Sequence, residues 1–168
     1  NLMFDFENES INGFNDIYFE VKKNFRVFQI DLFENLFIDS IVHGGFKCDF
    51  TREYNAVFVE LRYEVAGAHH ETVRVYYHGK PIKAINPPWD GGFCWSNMSK
   101  NEKLVSVACE GLGASSWWPN KDHLDDEPDS MKISLTVPKP DMAVSNGQFM
   151  GEIENGASHP FNWRSEEQ

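Results

Sequence analysis

The chain lacks any apolar run long enough to cross a membrane and any cluster of basic residues. A membrane-spanning helix needs roughly 18 consecutive apolar residues, and no segment approaches that length. Lys and Arg number 15 against 26 Asp and Glu, so the formal net charge is −11. Because nucleic-acid backbones and anionic membranes bind clustered positive charge, we expect neither a nucleic acid nor a membrane as partner. The acidic balance favours cationic ligands.

Cysteine is scarce and has no spacing pattern. The three cysteines are Cys48, Cys94 and Cys109, and no C-x-x-C motif occurs. Because three is odd, at least one thiol has no partner within the chain, and we expect no disulfide framework. The first ten residues lack the basic region and the apolar run of a signal peptide. The sequence leaves the cellular location open.

Helical periodicity is also missing, and short alternating segments take its place. They include FNDIYFEV, FRVFQIDL, AVFVEL, ETVRVYYHG and MKISLTVP. Turns are predicted at NESING, at AGAHHE, and at Asn146–Gly147 between two short strands. We therefore expect residues 1–168 to form one all-β domain, an antiparallel β-sandwich of many short strands with little or no helix.

The signatures of an independent hydrolase do not occur. There is no HExxH helix motif for zinc and no G-x-S-x-G around Ser115 or Ser116. The HHE triplet at His69–Glu71 has the wrong spacing and falls in a predicted turn, so we interpret it as a solvated hairpin tip. The acidic residues around His123 lack the calcium-loop pattern and are interpreted as a solvated loop. We predict no catalytic residue and no metal site in this chain.

One irregular stretch, CEGLGASSWWPNKDHLDDEPDS from Cys109 to Ser130, concentrates apolar and charged side chains. In it, Glu110 directly follows the apolar strand segment LVSVAC. A carboxylate at a strand end is ordinarily solvated. The functional interpretation pairs it with a free α-ammonium group, because a charge-assisted hydrogen bond of this kind is short and strong.

The chain contains five tryptophans, at positions 89, 95, 117, 118 and 163. They could form a platform on which a sugar or a peptide stacks. Packing in the core or at a domain interface is the favoured interpretation, because each indole has a large apolar surface to bury.

The order of these features resembles the N-terminal domain of the zinc aminopeptidases of the aminopeptidase N type, in a form similar to a bacterial branch. Glu110 stands where a strand of that family ends in Glu or Gln, and Trp118-Pro119 matches its aromatic-proline pair. Asp126-Glu127-Pro128 resembles its acidic element. MKISLTVP then ends in the family's Val-Pro, and MAVSNG resembles a family strand and turn.

The sequence also departs from the family pattern. Asn120 replaces the usual cysteine, and the small Ser115 and Ser116 occupy the region of a usual arginine. The residues HLD are inserted, so either Asp122 or Asp126 could stand at the family's acidic position. SHPFNWR resembles the segment just before the last strands of this domain. We therefore expect the domain to be cut before those strands, with the catalytic domain absent.

The resemblance implies a saddle-shaped β-sandwich that packs against its own catalytic domain in a longer chain. The zinc, the water it activates and the general base would lie in that missing domain, so no cofactor is expected in these residues. Glu110 would bind the free N-terminus of a peptide substrate. The implied domain-interface residues are Trp117, Trp118, Pro119, Asp122, Asp126 and Glu127.

Two other functions remain open. One is a stand-alone β-sandwich module that binds peptide or carbohydrate through its tryptophans. The other is a structural domain of a homologue whose active site has degenerated.

Overall fold

Twelve β-strands and one turn of 3₁₀ helix, Ala114–Ser116, make up the part of the chain that the computed structural model describes. That part comprises residues 1–87, 89–99, 103–123, 127–153 and 156–166. The strands are β1 Leu2–Asp5, β2 Ser10–Val21, β3 Phe25–Asp31, β4 Leu36–His43, β5 Phe46–Glu53, β6 Ala56–Val65, β7 His69–Gly79, β8 Gly92–Asn97, β9 Lys103–Ala108, β10 Ser130–Pro138, β11 Gln148–Glu152 and β12 Ser158–Glu166. Within these ranges no helix has the length and apolarity to cross a membrane.

Ten of the strands join into one sheet in the order β11-β12-β10-β1-β2-β7-β4-β5-β6-β3, and β8 and β9 form a separate hairpin. The prediction of an all-β sandwich is confirmed. The large sheet is mixed, because β1 runs parallel to β10 while β1 and β2 are antiparallel.

The sandwich arises because β5 changes partner along its length. Residues Phe46–Cys48 pair with β4, and from Asp49 onward β5 pairs with β6. This exchange folds β5, β6 and β3 over the face of β2, β7 and β4. Apolar side chains from both layers fill the space between them and form what we call the aliphatic core: Val21, Ile30, Ile41, Val57, Val59, Leu61, Val65, Val73 and Val75.

A second core lies on the same face of the sheet, further along it. On β7, Val73 and Val75 belong to the aliphatic core, and Tyr77, two residues on, belongs to the second. Side chains two apart on a strand share a face, so one sheet face carries both cores. We call the second one the aromatic core: Leu2, Ile11, Leu32, Leu36, Tyr77, Phe93, Leu135, Val137, Ala143 and Phe161, with Trp95, Trp117, Trp118 and Trp163 packed against it.

Two predicted turns are wrong in their extent. Strand β2 begins at Ser10, so the second half of NESING is paired with β1. Gly13 permits this approach, since a Cβ there would lie only 2.0 Å from the carbonyl oxygen of Asn1. At the other end of the chain, residues 141–145 form no strand, so Asn146–Gly147 precedes a single strand, β11. SHPFNWR is itself part of β12, which pairs along β10.

Candidate functional site

Glu110 lies in a tight turn directly after β9. The backbone nitrogens of Leu112 and Gly113 donate hydrogen bonds to the carbonyl oxygen of Cys109, at 3.1 and 2.8 Å. Gly113 has a φ of +83°, a conformation that glycine adopts without strain. The side chain of Glu110 is exposed. The prediction that it lies at a strand end is thus confirmed in position, while its partner remains a prediction.

The residues after this turn are hydrogen-bonded to the end of β3. Asp31 and Asn120 exchange two backbone hydrogen bonds of 2.7 and 3.1 Å. The backbone nitrogen of Phe33 donates to the carbonyl oxygen of Ser115 at 2.9 Å. The part of the irregular stretch from Cys109 to Asn120 is therefore fixed against the end of β3, although it contains no strand.

Two side chains from the central strands hold the tryptophan segment. The hydroxyl of Tyr77 donates to the carbonyl oxygen of Trp117 at 2.9 Å, and Asn15 Nδ2 donates to that of Pro119 at 2.8 Å. Burial raises the pKa of Tyr77 above its ordinary range, so its hydroxyl stays protonated as the donor. Both contacts satisfy carbonyl groups that no strand pairing would satisfy.

Asp122, predicted as an interface residue, makes its contacts within this chain. Its Oδ2 accepts from the hydroxyl and from the backbone nitrogen of Ser115, at 2.5 and 3.2 Å. Its own backbone nitrogen donates to Asp31 Oδ2 at 3.1 Å. Asp122 thus connects the 3₁₀ helix to the end of β3.

The adjacent Trp117 and Trp118, also predicted at an interface, pack on the aromatic core and are half-buried. Their ring centroids lie 4.1 Å apart, and Trp117 meets Phe93 edge-on with centroids 5.8 Å apart. Pro119 is buried beside them. These residues contribute mainly to the domain's own core, with part of each indole left at the surface.

Two large apolar side chains just before β8 are highly exposed, and of these the sequence analysis named only Trp89, among the five tryptophans. Ile85 is 95% exposed and Trp89 is 83% exposed. Their loop is closed by Asp90, whose Oδ2 accepts from the backbone nitrogens of Ile85 and Asn86 at 2.5 and 2.6 Å. The sequence signal for this closed loop is the aspartate before the glycine pair in NPPWDGG, because Asp side chains commonly accept hydrogen bonds from the backbone of such turns.

We call residues 85–87, 89 and 90 the Trp89 loop. It lies beside the turn that carries Glu110. Gly92 at the start of β8 pairs with Ala108 at the end of β9. A Cβ on Gly91 would lie 2.9 Å from Leu112 Cγ, so the two segments are packed together. The exposed apolar side chains and the exposed carboxylate therefore share one end of the β8–β9 hairpin.

Glu127 is exposed, and Asp126 lies outside the described residues, so its predicted interface role is not addressed by the structure. Across the described part of the chain, no group of three or more His, Cys, Asp or Glu side chains is placed to hold a metal ion.

The HHE triplet belongs to strand β7, so the predicted turn is wrong, whereas His69 and His70 are exposed as a solvated position requires. His69 opens β7, and Glu71 lies on the inner face of that strand together with Val73 and Val75. Glu71 Oε1 is 2.8 Å from His69 Nε2, and its Oε2 is 2.9 Å from Nε2 of the buried His43 on β4. The hydrogen bonds from His69 and His43 hold the pKa of Glu71 below its ordinary value of 4.5, against the opposing effect of burial. These contacts lie at the end of β4 and the start of β7, beside the aliphatic core, and form what we call its polar end.

No protein-family model matches this chain, and no curated protein matches it. Solved structures do. A crystal structure of an M1 zinc metallopeptidase from Deinococcus radiodurans covers 93% of this chain with a TM-score of 0.74 and 18% sequence identity. The same values describe mutant structures of a two-domain M1 zinc metallopeptidase bound to L-arginine and of the Deinococcus radiodurans enzyme bound to a Tyr-Ser-Ala substrate.

The fold occurs in M1 zinc metallopeptidases. The match covers 35% of the length of the Deinococcus radiodurans protein, so this chain corresponds to about a third of it. At 18% identity the likeness establishes a shared fold, and the ligands in those crystals belong to those proteins.

Proposed function

We propose that this chain is the non-catalytic N-terminal domain of a zinc-dependent aminopeptidase, which packs on a catalytic domain and supplies Glu110 to bind the substrate's free N-terminus. The observation that carries the proposal is the likeness of nearly the whole chain to a third of an M1 zinc metallopeptidase. The motif order around Glu110 and Trp118-Pro119 supports it independently.

Glu110 is suited to this role by charge and by position. It is an exposed carboxylate on a hydrogen-bonded turn, so it can reach a ligand outside the domain without local unfolding. A carboxylate discriminates between a free α-ammonium group, which is charged, and an internal peptide nitrogen, which is not. Peptides would thereby be aligned by their first residue.

The Trp89 loop is the surface we assign to contact with the catalytic domain. Asp90 holds the backbone of the loop at Ile85 and Asn86, while the side chains of Ile85 and Trp89 are exposed to solvent and available to a partner. Because the loop packs against the turn that carries Glu110, we expect a catalytic domain that reaches the carboxylate to contact the loop as well. The remaining exposed surface of Trp117 and Trp118, with Asp122, Asp126 and Glu127, would lie toward the same partner.

The zinc ion of such an enzyme would be bound outside these 168 residues. When bound there, it would activate the water that attacks the peptide bond. This chain would contribute substrate alignment and a docking surface, and by itself it would hydrolyse nothing.

Replacing Glu110 with Ala in the full-length protein tests the proposal. We expect kcat/KM for an alanyl- or leucyl-anilide to fall by an amount equivalent to about 2–5 kcal/mol. The reason is that Glu110, exposed in this domain, would form a charge pair with the substrate that the catalytic domain buries, and the pair would lose one partner. Glu53→Ala, an exposed glutamate on β5, serves as the matched control and should leave kcat/KM unchanged. Unchanged kcat/KM in the Glu110 variant would exclude the amine-binding role.

The exposed Trp89 favours a second candidate, a stand-alone peptide- or carbohydrate-binding module. Short peptides or oligosaccharides titrated into the 168-residue chain would then shift tryptophan emission, and Trp89→Ala would abolish the shift. A single exposed indole offers less stacking area than the platform that such modules use.

A further inference from the structure

The turn that carries Glu110 abuts the carboxylate of Asp122. Gly113 closes the turn through its hydrogen bond to Cys109, 2.8 Å long. The space in which a side chain at 113 would project is occupied by that carboxylate, since an added Cβ would lie 2.2 Å from Asp122 Oδ2. The two segments are therefore in close contact, three residues from Glu110.

Asp122 is itself held on two sides. Its carboxylate accepts both hydrogen bonds from Ser115, which is only 3% exposed. Its backbone nitrogen donates to Asp31, which also pairs with Asn120. A side chain held by several hydrogen bonds keeps one conformation and can fix its neighbours.

We propose that Asp122 is a positioning residue for Glu110. Through Ser115 and its contact with Gly113, it fixes the far side of a turn whose near side is fixed by β9. This inference rests on the proposed amine-binding role of Glu110. Without Asp122 the far side of the turn keeps only the backbone bond from Phe33 to Ser115 and the contacts of Ser116 with the carbonyl oxygen of Gly113. The turn is then held less firmly, so Glu110 spends less time in the orientation that meets the substrate ammonium, and alignment is weakened.

The contacts distinguish Asp122 from the other anchors of the stretch. Tyr77 and Asn15 hold carbonyl groups of Trp117 and Pro119, beyond the 3₁₀ helix. Asp122 accepts a hydrogen bond from Ser115 within the 3₁₀ helix and also contacts Gly113, directly before it. Its effect should therefore pass to Glu110, while the effects of Tyr77 and Asn15 should appear as stability.

A double-mutant cycle on the full-length protein tests this. Asp122→Ala should lower kcat/KM for an aminoacyl-anilide by about tenfold, and in a Glu110→Ala background the same change should have no further effect. Residues that act as a unit are non-additive in this way. If Asp122→Ala lowers kcat/KM equally in both backgrounds, or in neither, the positioning role is wrong.

The cycle separates this inference from the proposed function. If Glu110→Ala lowers kcat/KM and Asp122→Ala lowers it by the same factor in both backgrounds, only the inference is overturned. If Glu110→Ala leaves kcat/KM unchanged, the amine-binding role and the inference are both overturned. Asp122→Asn retains an oxygen acceptor for Ser115 and should recover most of kcat/KM. Asp129→Ala, an exposed aspartate nearby, is the control and should match the wild type.

A second readout does not depend on catalysis. Hydrogen exchange at the backbone amide of Gly113 should accelerate in Asp122→Ala and remain at the wild-type rate in Asp129→Ala. If Asp122→Ala does not fold, Ser115→Ala carries the same cycle, because it removes the hydroxyl donor alone. Unchanged exchange at Gly113 in a folded Asp122 or Ser115 variant would overturn the inference.

Discussion

The two cores of this domain share one face of one sheet but are closed by different means. The aliphatic core is covered by β3, β5 and β6, whose strand pairing continues the sheet and folds it over. The aromatic core is covered by the β8–β9 hairpin and by the irregular stretch from Cys109 to Pro119, which is attached through side-chain and single backbone hydrogen bonds. Regular strand pairing thus covers the aliphatic core, to which we assign a structural role alone. The irregular cover presents Glu110 and the Trp89 loop at its end.

The difference shows how one sheet can combine stability with a candidate site. Paired strands satisfy their own backbone N–H and C=O groups. The strands around the aliphatic core therefore need few side chains as hydrogen-bond partners for their backbone. In the irregular stretch, buried carbonyl groups need individual side-chain donors, as when the hydroxyl of Tyr77 donates to the carbonyl oxygen of Trp117. Loops fixed in this way carry function because their path can be set one contact at a time.

The largest effect should come from removing the ring that joins the hairpin to the tryptophans. Phe93 is 2% exposed and its ring contacts both Trp95 and Trp117. Phe93→Ala should lower the free energy of unfolding by about 3–5 kcal/mol, since a large cavity is left behind. It should also change the tryptophan emission of the native state, which fluorescence of the folded variant measures.

Leu61→Ala is the matched change in the aliphatic core, where no tryptophan packs. It should cost about 2–5 kcal/mol in the same denaturation experiment and leave native tryptophan emission as it is. Equal emission changes in the two variants would show that the cores are not separate.

A smaller effect is expected at the polar end of the aliphatic core. Glu71→Gln should lower the free energy of unfolding by about 1–3 kcal/mol near neutral pH, because two hydrogen bonds lose their charged acceptor. Since the folded pKa of Glu71 lies below 4.5, its contribution is present above that pH and disappears as the pH falls through the folded value. His43 and His69 are the titratable side chains that contact Glu71, and the ring of Tyr63 packs on His43.

The measurement is the difference in unfolding free energy between wild type and Glu71→Gln, followed by urea denaturation from neutral pH downward. The difference should vanish once the folded carboxylate is protonated. A difference that stays constant through acid pH would mean that the charge of Glu71 is not what stabilises this end.

The smallest effect is expected on the outer face of the sheet, opposite both cores. Arg74 donates two hydrogen bonds to Asp16, of 2.5 and 2.6 Å, and these bonds raise the pKa of Arg74. Both side chains are more than a third exposed, so water screens the pair. Asp16→Asn should change the unfolding free energy by less than about 1 kcal/mol, with a salt dependence weaker than in wild type. A cost as large as that at Glu71 would contradict the distinction between the inner and outer faces.

Much of the strand framework could be predicted from the sequence alone, and so could the place of Glu110. Strands such as β7 and β10 can be predicted from the sequence, because the alternation of apolar and polar residues shows which side chains face the core. That pattern is local along the chain. The position of Glu110 after LVSVAC predicts its place at a strand end. The same reasoning placed His69–Glu71 in a turn, because the partner that makes Glu71 an inner-face residue, His43, lies on another strand.

What the sequence determined by itself was the all-β class, the absence of helical and catalytic signatures, and the candidate carboxylate. Only the tertiary structure decided that Asp122 turns back to Ser115, that Trp117 and Trp118 pack on their own domain, and that Trp89 is exposed beside Glu110. The physical reason is distance along the chain. Asp122 meets Asp31 across 91 residues, and Asn15 meets Pro119 across 104, so no local periodicity carries either contact.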